Sequence, residues 1–145
     1  MRTAIAIVLG VLLSACSAPV QLKPASPKSE LGWSGVSVTT AEALEGDKKE
    51  KLDEYEVLPA MTNALEKSFQ TAGGEALRVD ITQFRVGWGP TRMHAIAEVV
   101  SAEGAVLKKV EADSTTTRKH IKWKRTQRVA QDIVNKLVQG LGADD

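Results

Sequence analysis

The apolar residues of this chain repeat with a helical period in two regions and with a strand period between them. Apolar side chains recur every three or four residues from Leu58 to Ala72, and a second such stripe ends at Leu141. This spacing places them on one face of a helix. Three stretches between the stripes alternate apolar and polar residues and are separated by glycine-containing turns: residues 77–88, 92–100 and 105–115. The pattern therefore constrains the chain to two helices and an antiparallel meander.

A further strand is predicted ahead of the first helix, where apolar and small polar residues alternate at 32–40. Residues 41–56 are highly charged and are interpreted as a loop or a frayed helical lead-in. The resulting order, β-α-β-β-β-α, predicts an α+β fold with one antiparallel sheet and two helices packed on one face.

Two details of the sheet are also predicted. The alternation changes phase between Ile81 and Phe84, which indicates either a bulge near Thr82-Gln83 or a strand covered on both faces. The last strand has Lys108 on the same face as its apolar residues, which is typical of an edge position.

The amino-terminal segment has the pattern of an export signal. Met1-Arg2 is a short basic start, and residues 3–15 are uncharged and mainly apolar. A helix of this length spans about 20 Å, which is too short for a hydrocarbon core of roughly 30 Å. The segment is therefore interpreted as a signal peptide rather than a transmembrane helix.

This segment ends in Leu13-Ser14-Ala15-Cys16, which resembles the lipobox of bacterial lipoproteins. The resemblance implies cleavage between Ala15 and Cys16, attachment of diacylglycerol to the Cys16 sulfur, and N-acylation in many bacteria. Ser17 follows the cysteine, and in the enterobacterial sorting rule Ser at this place allows export to the outer membrane. An outer-membrane lipoprotein that faces the periplasm is expected, with the inner membrane as the alternative.

The region after Cys16 is predicted to be a tether. Residues 16–31 contain three prolines and no periodicity, so we expect a flexible chain that averages roughly 20 Å in span and reaches about 50 Å when extended. Residues 32–145 then form a single periplasmic domain. Cys16 is the only cysteine, so an internal disulfide is excluded.

Charge is unevenly distributed along the chain. Residues 30–66 contain nine acids and three bases, whereas residues 67–136 contain thirteen bases and seven acids. The formal net charge of the whole chain is only +1. The composition is therefore unlike that of a nucleic-acid-binding protein, and two oppositely charged surfaces are expected instead.

The sequence offers little catalytic or metal-binding chemistry. His94 and His120 are the only histidines, and no metal-ligand motif is present. Carboxylates at Asp80, Glu98 and Glu111 alternate with apolar residues, which is typical of the wet face of a sheet. We expect no enzyme, no metal and no cofactor other than the lipid on Cys16.

A basic cluster at the start of the last helix is the most unusual feature. Positive charge here opposes the helix macrodipole, which suggests a functional reason for it. Anionic headgroups, an acidic partner, peptidoglycan or the chain's own 42–56 segment could receive it, and a solvated helix start is the structural alternative. The candidate binding face consists of Arg118, Lys119, Lys122, Trp123, Lys124, Arg125 and Arg128, together with Trp88 in a glycine turn.

Residues 75–141 also resemble, in pattern, small envelope lipoproteins with a domain like the amino-terminal domain of TolB. The resemblance lies in LRVDITQF, EGAVL and RVAQDIVNKLVQGL. It implies a non-enzymatic accessory module of a transport or cell-wall assembly, with an envelope protein as partner. The alternatives are a structural lipoprotein that contacts peptidoglycan or anionic lipid, and a small-ligand-binding or hydrolytic envelope protein.

Overall fold

The computed structural model describes residues 19–25, 32–44, 46–69, 73–117 and 121–142. Cleavage at Ala15 and lipidation of Cys16 lie outside these residues, as do Arg118 and Lys119 of the predicted binding face. The described elements are, in chain order, β1 (Gly35–Thr40), α1 (Gly46–Glu54), α2 (Val57–Ser68), β2 (Ala76–Arg85), β3 (Thr91–Val100), β4 (Val106–Thr116) and α3 (Lys122–Leu141).

The four strands form one sheet in the order β1-β2-β3-β4. β2, β3 and β4 are an antiparallel meander, as predicted, and β4 lies at an edge. β1 differs from the prediction because it pairs parallel to β2. Two helices connect β1 to β2. A connection of this length can carry the chain back to the end at which β1 begins, so that β2 runs parallel to β1. The α+β fold is confirmed, with a mixed sheet.

The predicted bulge is present in β2. Ile81 pairs with Ala95 and Gln83 pairs with His94, so Thr82 is the extra residue. The bulge changes the side-chain phase of the strand, and both Ile81 and Phe84 are therefore buried.

The helices cover one face of the sheet. α2 packs on β1, α3 packs on β3 and β4, and the two helices contact each other. Apolar side chains from alternate strand positions meet the helix stripes in one continuous core. The largest fully buried side chains include Leu52, Met61, Leu65, Leu77, Ile81, Phe84, Met93, Ile133 and Leu137.

The charged region at 41–56 contains the short helix α1, where the sequence indicated a loop or lead-in. The sequence of this helix has no apolar stripe, and Leu52 is its one buried residue. A hydrogen bond from Lys51 Nζ to Glu54 raises the pKa of Lys51 above its usual value. No described helix is long and apolar enough to span a membrane.

Residues 19–25 differ from the predicted flexible tether because they are bound to the helical layer. Val20 is buried and its N–H donates to the Tyr55 carbonyl at 2.9 Å. Further N–H groups donate to side chains of α2 and α3 on either side: Gln21 to Gln127, Lys23 to Gln131, and Ala25 to Ser68. The segment therefore lies over the groove between α2 and α3 and runs in the direction of both helices.

Candidate functional site

The first turn of α3 carries the described part of the basic cluster. Lys122 and Lys124 are exposed, whereas Trp123 is half-buried against the core. The Lys124 ammonium lies 5.7 Å from the Trp123 ring centroid, within the range of a cation–π contact. This turn has no acidic residue, and no side chain at Ile121 caps it. The first turn of α3 therefore has neither an acidic side chain to balance its lysines nor a side-chain cap for its N–H groups.

Arg125 does not belong to an exposed binding face. Its side chain is buried, and its guanidinium donates to the Gly89 carbonyl at 2.6 Å and the Gly87 carbonyl at 2.9 Å. Arg125 lies on the buried face of α3. There its guanidinium donates to carbonyls of the turn between β2 and β3 that need hydrogen-bond donors. This is a correction to the predicted site, because Arg125 holds the turn and is not available to a partner.

Trp88 lies between the two glycines that Arg125 holds. Its side chain is 90% exposed, the largest value among the exposed large apolar residues. The two hydrogen bonds from Arg125 form a clamp that places the turn beside the first turn of α3. Trp88, Lys122 and Lys124 therefore lie at the same end of the molecule. Sequence reasoning named these residues separately, and the fold brings them to one end.

Arg128 is exposed one helical turn after Lys124. Together with Gln127 and Gln131 it lines an open groove of about 610 Å³ beside residues 21–25. This groove lies between α3 and the bound amino-terminal segment. Arg128 is exposed there.

Two arginines lie near the Trp88 turn: Arg92, which the sequence suggested as part of one binding face with Trp88 if the fold brought them together, and Arg85, which was not singled out from the sequence. Arg85 and Arg92, together with Lys48 of α1, line a shallow depression of about 240 Å³ next to Phe84. Arg92 pairs with Asp113 at 3.3 Å, whereas Arg85 is exposed on the last residue of β2. The sequence feature that could have identified Arg85 is its position, because Arg85 and Arg92 flank the glycine turn and pair with each other in the sheet.

The open face of the sheet holds the residues that sequence analysis considered for catalysis. His94 Nδ1 is 2.8 Å from Thr82 Oγ1. Asp80 and Glu111 both lie opposite Ile96 on neighbouring strands, so two strand spacings of about 4.8 Å separate them. This exceeds the reach of a directly hydrogen-bonded carboxylate pair. Glu98 lies 3.8 Å from Arg78. Within the described residues, no three His, Cys, Asp or Glu side chains cluster as a metal site.

The large apolar side chains exposed in the described part of the chain lie at two opposite ends. Trp88 and Ile121 are at the end where α3 begins, and Ile121 is 58% exposed. Val106 and Leu107 follow the turn between β3 and β4 and are 49% and 55% exposed. The ten residues of β3 separate the two ends by about 30 Å.

No protein-family model matches the chain, and no curated protein matches it. Its fold is similar to that of a Xanthomonas campestris protein described as DUF330, with a TM-score of 0.54 and 11% identity over 87% of this chain and 91% of that chain. This similarity shows a shared fold and no more.

Two weaker similarities involve a PelC dodecamer from Paraburkholderia phytofirmans and lipoprotein GNA1162 from Neisseria meningitidis. The first has a TM-score of 0.47 and 13% identity over 81% of this chain and 92% of that chain. The second has a TM-score of 0.35 and 10% identity over 72% of this chain and 99% of that chain. Neither value is high enough to carry an argument about function.

Proposed function

We propose that this chain is a lipoprotein, anchored through Cys16, that serves as a non-enzymatic binding module of the cell envelope. The observation that carries the proposal is the binding of residues 19–25 to the helical layer. Cys16 precedes Pro19 by three residues, which span at most about 11 Å. A lipid on Cys16 would therefore hold the folded body close to the membrane rather than on a long tether.

The direction of the bound segment decides which end of the molecule is near the anchor. Val20 contacts Tyr55 just before α2, and Gln21 contacts Gln127 near the start of α3. Lys23 and Ala25 contact positions further along these helices. The chain toward Cys16 therefore leaves the body at the end where α2 and α3 begin.

The opposite end projects away from the membrane and offers a surface for a protein partner. Exposed Val106 and Leu107 begin β4, which is an edge strand of the sheet. Edge strands can pair with a strand from another chain. Lys136 Nζ donates to the Asp113 carbonyl at 2.6 Å and so protects the other half of this edge. A partner of the envelope that adds a strand or an apolar side chain at 106–107 fits this arrangement.

Ser17 supports the outer membrane as the location, with the domain on its periplasmic side. Asp80, Glu98 and His94 of the open sheet face have Thr39, Arg78 and Thr82 as polar neighbours, which supports a structural role for these groups rather than chemistry. Accessory function in a transport or cell-wall assembly is the corresponding role.

Lipidation is tested by the intact mass of the chain purified from membranes of a Gram-negative host. The expected mature chain begins at Cys16 and carries diacylglycerol, with or without an N-acyl group. In Cys16→Ala we expect retention of residues 1–15 and no lipid. An unmodified Cys16 in the wild-type chain would overturn the anchor.

The partner surface is tested with a photoreactive amino acid at Leu107 and, as a matched control, at exposed Glu66 of α2. We expect a defined envelope protein to crosslink from position 107 and not from position 66. Identical crosslinking patterns from the two positions would contradict an accessory surface at the start of β4.

A further inference from the structure

The Trp88 turn presents an apolar side chain to solvent in a fixed position. The two carbonyls that flank Trp88 both accept from Arg125, whose guanidinium is buried. These hydrogen bonds hold the backbone on both sides of Trp88, whose side chain is exposed. Tryptophan combines an apolar ring with an N–H donor, and it is enriched where one end of a side chain is apolar and the other is wet.

Exposed cations lie at the same end of the molecule as this tryptophan. Lys122 and Lys124 extend from the first turn of α3, and Arg85 lies at the end of β2. A Cβ added at Gly89 would lie 3.8 Å from Arg85 Nη2, so this guanidinium lies near the turn. The helix α1 at the same end has three lysines and four acids, so its own net charge is small. The α3 side of this end is therefore apolar at its tip and positive around it.

The same end receives the chain that leads to Cys16. Pro19 lies beside Glu56, Pro59 and Ala60 near the start of α2. Only Ser17 and Ala18 lie between it and the lipidation position, and the three Cα–Cα steps reach at most about 11 Å. Lipid chains attached there would enter the bilayer beside the start of α2 and α3.

We propose that this end is seated on anionic phospholipid headgroups of the membrane that holds the anchor. The membrane-facing end consists of Arg85, Trp88, Ile121, Lys122 and Lys124. Trp88 lies in the interfacial layer, as tryptophan does in membrane proteins, and the cations lie against lipid phosphates. The inference rests on the lipidation of Cys16 proposed above, and it adds which surface of the domain meets the lipid.

The anchor and the surface act together. Each lysine near an anionic bilayer strengthens binding by about fivefold, which is weak for a free protein. The lipid on Cys16 holds the surface at high local concentration, so weak contacts suffice to set the orientation. The exposed start of β4 then points away from the membrane.

The experiment uses the mature lipidated protein reconstituted into vesicles of phosphatidylethanolamine and phosphatidylglycerol whose acyl chains carry bromine near the headgroup. Trp33 is buried and Trp123 is half-buried, so Trp88 is the tryptophan best placed to be quenched. We expect strong quenching of the wild type and loss of most of it in Trp88→Phe. Quenching of the wild type should weaken in vesicles of phosphatidylcholine alone.

Charge reversal provides the matched comparison. Lys122→Glu with Lys124→Glu should reduce quenching of Trp88, whereas Lys67→Glu with Lys109→Glu, exposed positions elsewhere, should not. Acids at the start of α3 favour its macrodipole, so the first double variant is expected to fold.

Flotation separates the possible failures. Protein that floats with vesicles but shows equal quenching in wild type and Trp88→Phe overturns the membrane-facing end and leaves the anchor intact. Protein that does not float overturns the lipid anchor and, with it, this inference.

Discussion

At the residue scale, Arg125 shows how one side chain can change the interpretation of a cluster. In the sequence it is one of several bases around Trp123, and nothing distinguishes it from Lys122, Lys124 or Arg128. In the structure it is 5% exposed and satisfies two turn carbonyls, whereas its own Nε has no partner among the described residues. The difference arises from its place on the apolar stripe of α3, one helical turn before Val129.

Replacing Arg125 with Ala should destabilise the domain and free the Trp88 turn. Loss of two charge-assisted hydrogen bonds leaves the Gly87 and Gly89 carbonyls without these donors, and we expect a cost of about 2–3 kcal/mol. Urea unfolding measures this cost, and Trp88 fluorescence anisotropy measures the released turn. Arg128→Ala, at an exposed position, should change stability by less than about 0.5 kcal/mol. Equal effects of the two variants would contradict the clamp.

Gly140 allows α3 to approach β4 closely. A Cβ at this position would lie 2.6 Å from Cγ1 of Val110, and valine has little freedom to move away. We expect Gly140→Ala to destabilise the domain by about 1–3 kcal/mol, measured by thermal or urea unfolding.

Two further variants check that this cost comes from the contact. The double variant Gly140→Ala with Val110→Ala should recover part of the loss, because the colliding methyl groups are gone. Gly46→Ala, where nothing lies within 4 Å of the added carbon, should be nearly neutral. A fully additive double variant would show that crowding against Val110 is not the cause.

At the scale of elements, periodicity predicted the regular parts well. The meander, the bulge at Thr82, the edge position of β4 and the last helix all follow from side-chain alternation or apolar stripes, which report burial directly. The direction of β1 could not be predicted, because a short alternating strand has the same pattern in parallel and antiparallel pairs. α1 was interpreted as a loop or lead-in because its sequence is charged and has no apolar stripe. In the structure it buries a single side chain, Leu52.

The amino-terminal segment differed most from its prediction. Its prolines and small residues are typical of a linker, and its hydrogen bonds are made by side chains more than 40 residues away, which local sequence does not reveal. Gln131 is the clearest example, because it accepts from the Lys23 N–H at 2.7 Å and donates to the Lys23 carbonyl at 2.8 Å. A glutamine on a helix surface gives no indication of such a partner.

Hydrogen exchange measures whether this segment is bound in solution. We expect the amides of Val20, Gln21, Lys23 and Ala25 to exchange at least about tenfold more slowly than in an unfolded chain, which corresponds to an opening free energy of about 1.4 kcal/mol. Gln131→Ala should accelerate exchange at Lys23, whereas Gln83→Ala on the exposed sheet face should not. Unprotected amides throughout 20–25 would restore the tether.

At the scale of the whole molecule, the candidate surfaces separate into two ends. Pro19, Trp88 and the exposed cations of α3 lie at one end, and the apolar start of β4 lies at the other. The sequence predicted the anchor and the individual residues of a binding face. Their arrangement required the fold, because the pairing of Thr91 with Thr116 and the Arg125 contact to the turn between β2 and β3 bring Trp88 to the start of α3.

The central claim is that a lipid on Cys16 holds the folded body directly on the membrane. Neutron reflectometry of the lipidated protein on a supported bilayer containing phosphatidylglycerol tests it most directly, because it measures the water layer between headgroups and protein. We predict protein density that begins at the headgroups with no separate water layer. A hydrated gap of about 20 Å, the average span of a flexible tether of 15 residues, would contradict the claim.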